Sequence, residues 1–325
     1  NLKHHNNNYK LDIEHLFATW FKTSWLMDKD QSGDELAKTR YDNISKHPLT
    51  YRYPKNFTGK LKDLDINPER KNPSGIKAAI IREKGVNGDR EMAYAMYLAG
   101  FDVKDIHMTD LAKGNEDLED VHFIVFVGGF SNSDVLGSAK GWAGAFRYNE
   151  KAREALDNFY ARKDTLSLGV CNGCQLMNEL ELLYPDHNQH PKNKHNLSGK
   201  FESGFINVEI PENNNIMLKS LAGSKLGIWI AHGEGKLELP LEEVHYQIPM
   251  KYSSSDYPVN PNGTTYNAAA LSSTDGRHLA MMPHLERSIL PWQWAFYPDE
   301  HKDHQVTPWM EAFSNALKWI EKQNS

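Results

Sequence analysis

Thr165-Leu-Ser-Leu-Gly-Val-Cys171-Asn-Gly-Cys-Gln-Leu-Met-Asn-Glu-Leu180 is the stretch on which both fold and chemistry turn. It reads as an apolar strand that ends on a cysteine, with a helix opening straight after it. A side chain at such a strand-to-helix turn is pushed out at the carboxyl edge of the sheet. There the first-turn N–H groups and the helix dipole favour thiolate over thiol. Cys171 is therefore a candidate nucleophile. Gly169 and Gly173 lie two residues to either side, where positive φ or a close backbone approach would exclude a Cβ. The competing reading is a small buried cysteine followed by an ordinary helix.

Outward from this elbow the pattern alternates. Lys77-Ala-Ala-Ile-Ile81, residues 103–107, Phe123-Ile-Val-Phe-Val127 and residues 166–170 read as strands, and residues 88–99, 140–160 and 172–182 as helices. That rhythm predicts an α/β fold with a doubly wound, mostly parallel sheet flanked by helices. Between Phe201 and Met282 shorter alternating runs, such as Phe205-Ile-Asn-Val-Glu-Ile210 and Gly227-Ile-Trp-Ile-Ala231, predict mixed or antiparallel strands at a sheet edge. Before Ile76 the character differs. Leu11, Leu16, Phe17, Trp20, Trp25 and Leu26 recur at helical spacing, and a polar stretch with Pro48, Pro54, Pro68 and Pro73 follows. The expected division is a helical and linker appendage at 1–75 and an α/β domain at 76–325.

Composition narrows the function. The chain has 325 residues, 39% hydrophobic and 25% charged, enough to bury a core of ordinary density. The net charge is −6, from 37 basic against 43 acidic residues, and no segment gathers a basic stripe, which argues against nucleic acid as a partner. Only two cysteines occur, three apart, so a disulfide scaffold is excluded and a reducing, cytoplasmic setting is expected. The amino terminus lacks a signal-like apolar region, and the longest apolar runs are far too short to span a membrane, so no membrane partner is expected.

In an open α/β sheet ligands collect beyond the carboxyl ends of the strands. The loop after Val127, Gly128-Gly129-Phe130-Ser131, could aim backbone N–H groups at the same point as the amide of Asn172, which is what an oxyanion from acyl transfer needs. A cysteine nucleophile also needs a histidine base with an orienting acid. Among 15 histidines, two His-x-Glu runs qualify: Ala231-His232-Gly-Glu234-Gly235 and Met281-Met-Pro-His284-Leu-Glu286-Arg287. Alternate residues of an extended segment share a side, so either carboxylate could fix its imidazole, and spacing does not choose between them.

The ordered set Arg82-Glu-Lys-Gly-Val-Asn87, Gly128-Gly-Phe-Ser131 with Asp134-Val-Leu-Gly137, Gly169-Val-Cys-Asn-Gly-Cys-Gln175, His232-Gly-Glu-Gly235, Asn260-Pro-Asn-Gly263 and Met281-Met-Pro-His-Leu-Glu-Arg287 resembles the glutaminase domain of phosphoribosylformylglycinamidine synthases, a class I glutamine amidotransferase with a flavodoxin-like fold. The resemblance runs from about Ile76 through the Trp309-Met-Glu-Ala-Phe313 helix to the end. It implies Cys171 as nucleophile, His284 as base and Glu286 as orienting acid. It further implies oxyanion donors at Gly129, Phe130 and Asn172, glutamine-side roles for Gln175, His232 and Glu234, and L-glutamine as substrate. Arg82 and Asn87 also lie in motif segments. Residues 11–73 resemble the end of the family's synthetase portion and its linker, which implies a C-terminal fragment of the large single-chain enzyme. The synthetase portion is then the partner for ammonia, and ATP and Mg²⁺ act there; this fragment itself carries no phosphate-cradling Gly-x-x-x-x-Gly-Lys-Ser/Thr run and is expected to need no cofactor or metal. Two departures stand out. Asn132-Ser133 replaces Tyr-Gly of the family loop, and Leu285 replaces a proline, which predicts a looser segment presenting His284.

Two other classes of function are open to the same residues. Cys171-Asn-Gly-Cys174 has the spacing of a Cys-x-x-Cys redox motif, although thioredoxin-like domains are far shorter. A non-catalytic regulatory module could keep the fold, but it would have no need of Cys171, His284 and Glu286 together. Zinc is disfavoured because no second Cys pair or His-x-x-x-His group stands at ligand spacing.

Overall fold

The computed structural model describes residues 2–4 and 7–323. Asp12 opens helix α1 (Ile13–Ser32) by accepting from the His15 N–H at 3.1 Å, and Gly33, at φ 80°, ends it. Helix α2 (Asp34–Asn43) follows at once, with Asp34 and Glu35 in its first turn against the helix dipole. A linker was expected there. The segment is too polar to show an apolar period, so its helical character lies in propensity, capping and packing against α1 rather than in an apolar stripe. In α1 the buried residue is Asp28, whereas Ile13, Leu16, Phe17, Trp20 and Met27 are exposed.

The α/β domain carries strands β1 (Lys77–Arg82), β2 (Asp102–His107), β3 (Phe123–Phe126) and β4 (Leu166–Val170) and helices α3 (Asp89–Ala99), α4 (Met108–Lys113), α5 (Lys140–Arg147), α6 (Glu150–Ala161) and α7 (Asn172–Glu179). It continues through β5 (Glu202–Glu209), β6 (Lys225–His232), β7 (Gln247–Tyr252), β8 (Ala268–Ser272) and β9 (His278–Met281) to the terminal helix α8 (Trp309–Gln323). The strands form one sheet in the order β2-β1-β3-β4-β9-β8-β7-β5-β6. The first five run parallel, and β8, β7, β5 and β6 extend them antiparallel. The fold is thus doubly wound α/β, with the expected antiparallel part after Phe201.

Two boundaries differ from the sequence reading. The stretch at 140–160 breaks into α5 and α6, because the Asn149 side chain accepts from the Ala152 N–H at 3.0 Å and caps a new helix. Helix α7 stops at Glu179, just before Glu181 enters the left-handed region at φ 61°. The central parallel strands β3 and β4 are buried on both faces, as their apolar runs require, and have no exposed residue. Trp142 and Phe146 of α5 pack edge-on to Phe126 at 5.8 and 6.0 Å between centroids, which seats α5 over β3.

Candidate active site

Cys171 sits at φ 52° and ψ −106°, a conformation costly for any residue with a Cβ and typical of a side chain presented at a sharp turn. The flanking glycines permit close approach rather than positive φ. A Cβ on Gly173 would lie 1.9 Å from the Phe126 carbonyl oxygen, and one on Gly169 would lie 2.5 Å from the Gly173 oxygen. Strand β4, helix α7 and strand β3 are therefore drawn together at the elbow, and the cysteine absorbs the strained torsion.

Strands β4 and β9 are parallel neighbours, with Val170 opposite Met281, and the Cys171 N–H donates to the Met281 carbonyl at 2.8 Å. The chain leaving β9 thus delivers His284 beside the chain leaving β4. Gly128, after β3, completes the arrangement: a Cβ placed there would lie 2.8 Å from His284 Cε1 and 3.4 Å from Cys171 Cβ, so both side chains flank one glycine. His284 and Glu286 are each 1% exposed, and Nδ1 and Oε1 are 2.7 Å apart. Burial works against an imidazolium here, but the Glu286 charge and the Cys171 side chain overcome it and raise the His284 pKa to about 9. Nε2 is buried without a hydrogen-bond partner, while the shared contact at Gly128 places the ring and the Cys171 side chain side by side. The segment presenting His284 is held, not loosened: the His284 N–H donates to the Trp229 carbonyl at 2.8 Å, and Leu285 is fully buried.

The glycine loop pairs with residues 85–87. The Asn87 N–H donates to the Gly128 carbonyl at 3.0 Å and the Phe130 N–H to the Gly85 carbonyl at 2.9 Å. The expectation for Phe130 is accordingly corrected, since its N–H is spent. The same antiparallel pattern turns the Gly129 N–H away from that pairing. The Asn172 N–H stands in the first turn of α7, where it has no carbonyl in its own helix.

A cavity of about 190 Å³ lies against the cysteine, lined among others by Gly129, Asp134, Ser138, Cys171, Lys200 and His232. It falls below the roughly 300–1,000 Å³ of clefts for drug-sized ligands and suits something nearer an amino acid. Gln175 and Glu234 line it too, but the Gln175 amide is already engaged: Nε2 donates to the Glu234 carbonyl at 2.8 Å, and Oε1 accepts from Asn172 Nδ2 at 3.0 Å. Gln175 therefore ties the elbow to the 231–235 loop. His232 is 2% exposed, and burial, with the nearby His284, lowers its pKa to about 3. It is neutral, and the two His-x-Glu runs separate: His284 has a carboxylate on its ring, His232 has Asn196 Oδ1 at 3.1 Å. Arg82 pairs with Asp105 at 2.7 Å and Asn87 accepts from Arg287; neither lines the cavity. Asp134, Ser138 and Lys200 were not singled out for a role from sequence, although Asp134 stood in a quoted motif. Cys174 is fully buried and its thiol is pushed up, chiefly by that burial, so the pair has no accessible second sulfur for exchange.

Residues 75–320 match the CobB/CobQ-like glutamine amidotransferase domain. The chain is 39% identical over 97% of its length to the phosphoribosylformylglycinamidine synthase of Dictyostelium discoideum, and 38% identical over 94% to that of Homo sapiens. In each case the match covers 25% of the relative, so the chain spans about a quarter of the length of these curated relatives. Among solved structures, PurLQS from Thermotoga maritima superposes with a TM-score of 0.57 at 22% identity, over 77% of this chain and 99% of that one, a likeness of fold. A cysteine elbow between neighbouring parallel strands, within a matched span of this extent, makes the chain a member of the CobB/CobQ-like glutamine amidotransferase family.

Proposed function

We propose that this chain is the glutamine-hydrolysing part of a phosphoribosylformylglycinamidine synthase. The observation that carries the reading is a cysteine held at φ 52° beside a histidine whose other face is bonded to a buried glutamate at 2.7 Å. An imidazolium held next to a sulfur is the partner that a thiolate nucleophile needs.

In this reading Cys171 Sγ attacks the carboxamide carbon of glutamine, and the Gly129 and Asn172 N–H groups receive the oxyanion. His284 gives its proton to the departing nitrogen, which leaves as ammonia, and a thioester remains. The now neutral His284 takes a proton from water, which attacks the thioester and releases glutamate and the Cys171 sulfur. Glu286 holds the ring in one orientation throughout. Removal of a single oxyanion donor is worth on the order of 10²–10³ in rate.

The relatives are named phosphoribosylformylglycinamidine synthases, and the family resemblance implies a second step, in which ammonia would pass to a synthetase portion where ATP and Mg²⁺ act to make an amidine. Residues 1–75 would be the end of that portion and its linker. No phosphate-cradling Gly-x-x-x-x-Gly-Lys-Ser/Thr run occurs in the sequence, and in this reading ATP and Mg²⁺ belong to the synthetase portion. No step of the glutaminase chemistry is routed through them. The reading is tested by ammonia release from glutamine, with and without the synthetase portion. Wild type should turn over weakly alone and faster with the synthetase, and Cys171→Ala should lose at least about a thousandfold in both settings. Equal ammonia release by Cys171→Ala would remove the proposal.

A further inference from the structure

We propose that Trp294 and Thr307 are positioning residues for the catalytic histidine: together they fix the turn that presents His284 and Glu286, and an aromatic strap at Tyr51 and Tyr53 fixes Trp294. The inference rests on the glutaminase reading above and deepens it, since that reading accounts for the reacting groups and not for what holds the imidazole in place.

His284 follows β9 and opens a single short turn, Leu285–Arg287, so neither a strand nor a long helix carries it. Its main chain is pinned from both sides. The N–H donates to the Trp229 carbonyl of β6, and the carbonyl accepts from Ser288 Oγ at 3.2 Å. Ser288 is fully buried, and its own carbonyl accepts twice, from Trp294 Nε1 at 2.8 Å and from Thr307 Oγ1 at 2.6 Å. Both lone pairs of that oxygen are thus used. Loss of either donor leaves a buried acceptor short of a partner in the very residue that holds the His284 carbonyl.

Trp294 is buried, and its ring is boxed by Tyr51 at 4.9 Å, Tyr297 at 5.2 Å, Phe205 at 5.5 Å and Tyr53 at 6.2 Å between centroids. The two tyrosines come from the segment that precedes the α/β domain. Between them Arg52 pairs with Lys225 in both directions, at 2.8 and 2.9 Å, and so adds a short antiparallel bridge to the edge of β6. Alternate residues of an extended segment share a side, and both tyrosine rings accordingly meet the indole. Strand β6 therefore carries the strap at Lys225 and the catalytic turn at Trp229. Trp229 Nε1 also donates to the Gln293 carbonyl at 2.6 Å, which fixes the residue next to Trp294. Residues read from the sequence as a linker thus form one wall of the support for His284. Tyr51, Ser288, Trp294 and Thr307 do not line the cavity at Cys171, so their loss bears on turnover rather than on affinity for substrate. A displacement of about 1 Å at a reacting group costs on the order of 10²-fold in rate.

The test measures, in this chain, kcat and KM for ammonia release from glutamine and, separately, the rate constant for alkylation of Cys171 by iodoacetamide. The second measurement holds whatever the natural substrate is, because it depends on the imidazole lying beside the sulfur. Trp294→Phe and Thr307→Val each remove one donor and keep an apolar filling. Each is expected to lower kcat at least about fivefold with KM within about twofold of wild type, and to slow alkylation at least about threefold. A smaller folded fraction would instead speed alkylation, since an unfolded thiol is open to the reagent. Tyr51 is only partly buried, so Tyr51→Ala decides the matter where a buried variant fails to fold. It should lower kcat at least about threefold, and Tyr51→Phe should restore most of that loss. Values of kcat and alkylation rate within about twofold of wild type in all three variants overturn the assignment, as does a raised KM at unchanged kcat. Wild type that releases no ammonia while the alkylation rates move as expected overturns the glutaminase reading and leaves the support of His284 standing, so the two failures are distinguishable.

Discussion

His284 carries its proton because Glu286 and Cys171 together outweigh the burial of the ring, and this places its pKa at about 9 against an ordinary value near 6.5. A raised histidine pKa contributes stability in full below about pH 6.5, and that contribution fades as pH rises through 9. Under the reading proposed above, the same proton is the one that ammonia needs on departure. With Glu286→Gln the opposing burial prevails, the imidazolium is lost at lower pH, and the alkaline limb of kcat/KM should move down by roughly two pH units. The rate at neutral pH should fall about 10²–10⁴-fold. A pH–rate profile of ammonia release measures both; an unmoved alkaline limb would show that Glu286 does not set the His284 pKa. Three successive residues, Asn132, Ser133 and Asp134, stand at φ 52°, 57° and 50°. Left-handed torsions cost roughly 1–2 kcal/mol for residues with a Cβ, less for Asn and Asp, so Ser133 bears most of the strain. Ser133→Gly should stabilise the chain by about 0.5–1 kcal/mol after the extra freedom of glycine in the unfolded chain is deducted. Thermal unfolding should show a rise of roughly 1–2 °C; a fall would mean that the Ser133 side chain contributes more than its torsion costs.

At the scale of elements, β4 and the start of α7 were legible because one apolar run ends where one helical pattern begins, and nothing else competes for those residues. The choice between the two His-x-Glu runs was not legible from spacing. It depends on which strands are neighbours, and the pairing of β4 with β9 is a contact across more than a hundred residues that no local pattern encodes. The loop after β3 shows the same limit in a second form. Its glycine pair announced an oxyanion turn, yet the Phe130 N–H goes to the Gly85 carbonyl, so which amide remains available depends on a segment well upstream in the chain. Asn149 was legible in principle as a helix cap, but an apolar period that continues across it hid the break between α5 and α6. Helix α2 was hidden for the opposite reason, having acidic first-turn residues but no apolar stripe.

At the scale of the whole molecule, α1 and α2 are tied to the α/β domain by charge rather than by apolar burial. Asp28 pairs with Lys200, and Arg40 reaches Glu202 at 2.7 Å, with the Tyr257 hydroxyl donating to the same carboxylate at 2.8 Å. Burial opposes the Asp28 charge, but hydrogen bonds from Lys200 and Ser32 and the charge of Arg40 hold its carboxyl below the usual range. These pairs sit at residues 200–202, beside the wall of the cavity at Cys171, so α1 and α2 brace that wall. Among the described residues the other face of α1 has no such partner. Ile13, Leu16, Phe17, Trp20 and Met27 recur at helical spacing, Trp20 is 69% exposed, and its ring stacks on Phe17 at 5.7 Å. A stripe of this kind marks an interaction surface, and in a chain spanning a quarter of its relatives' length the missing partner is the rest of the larger enzyme under the reading proposed here. Without that partner the stripe should drive the isolated chain to associate with itself. Trp20→Glu should suppress concentration-dependent association in sedimentation velocity while changing unfolding free energy by no more than about 0.5 kcal/mol, because the side chain is already in water. Unchanged association would show that this face is not the contact, and a large loss of stability would show that Trp20 packs in solution in a way that its exposure denies.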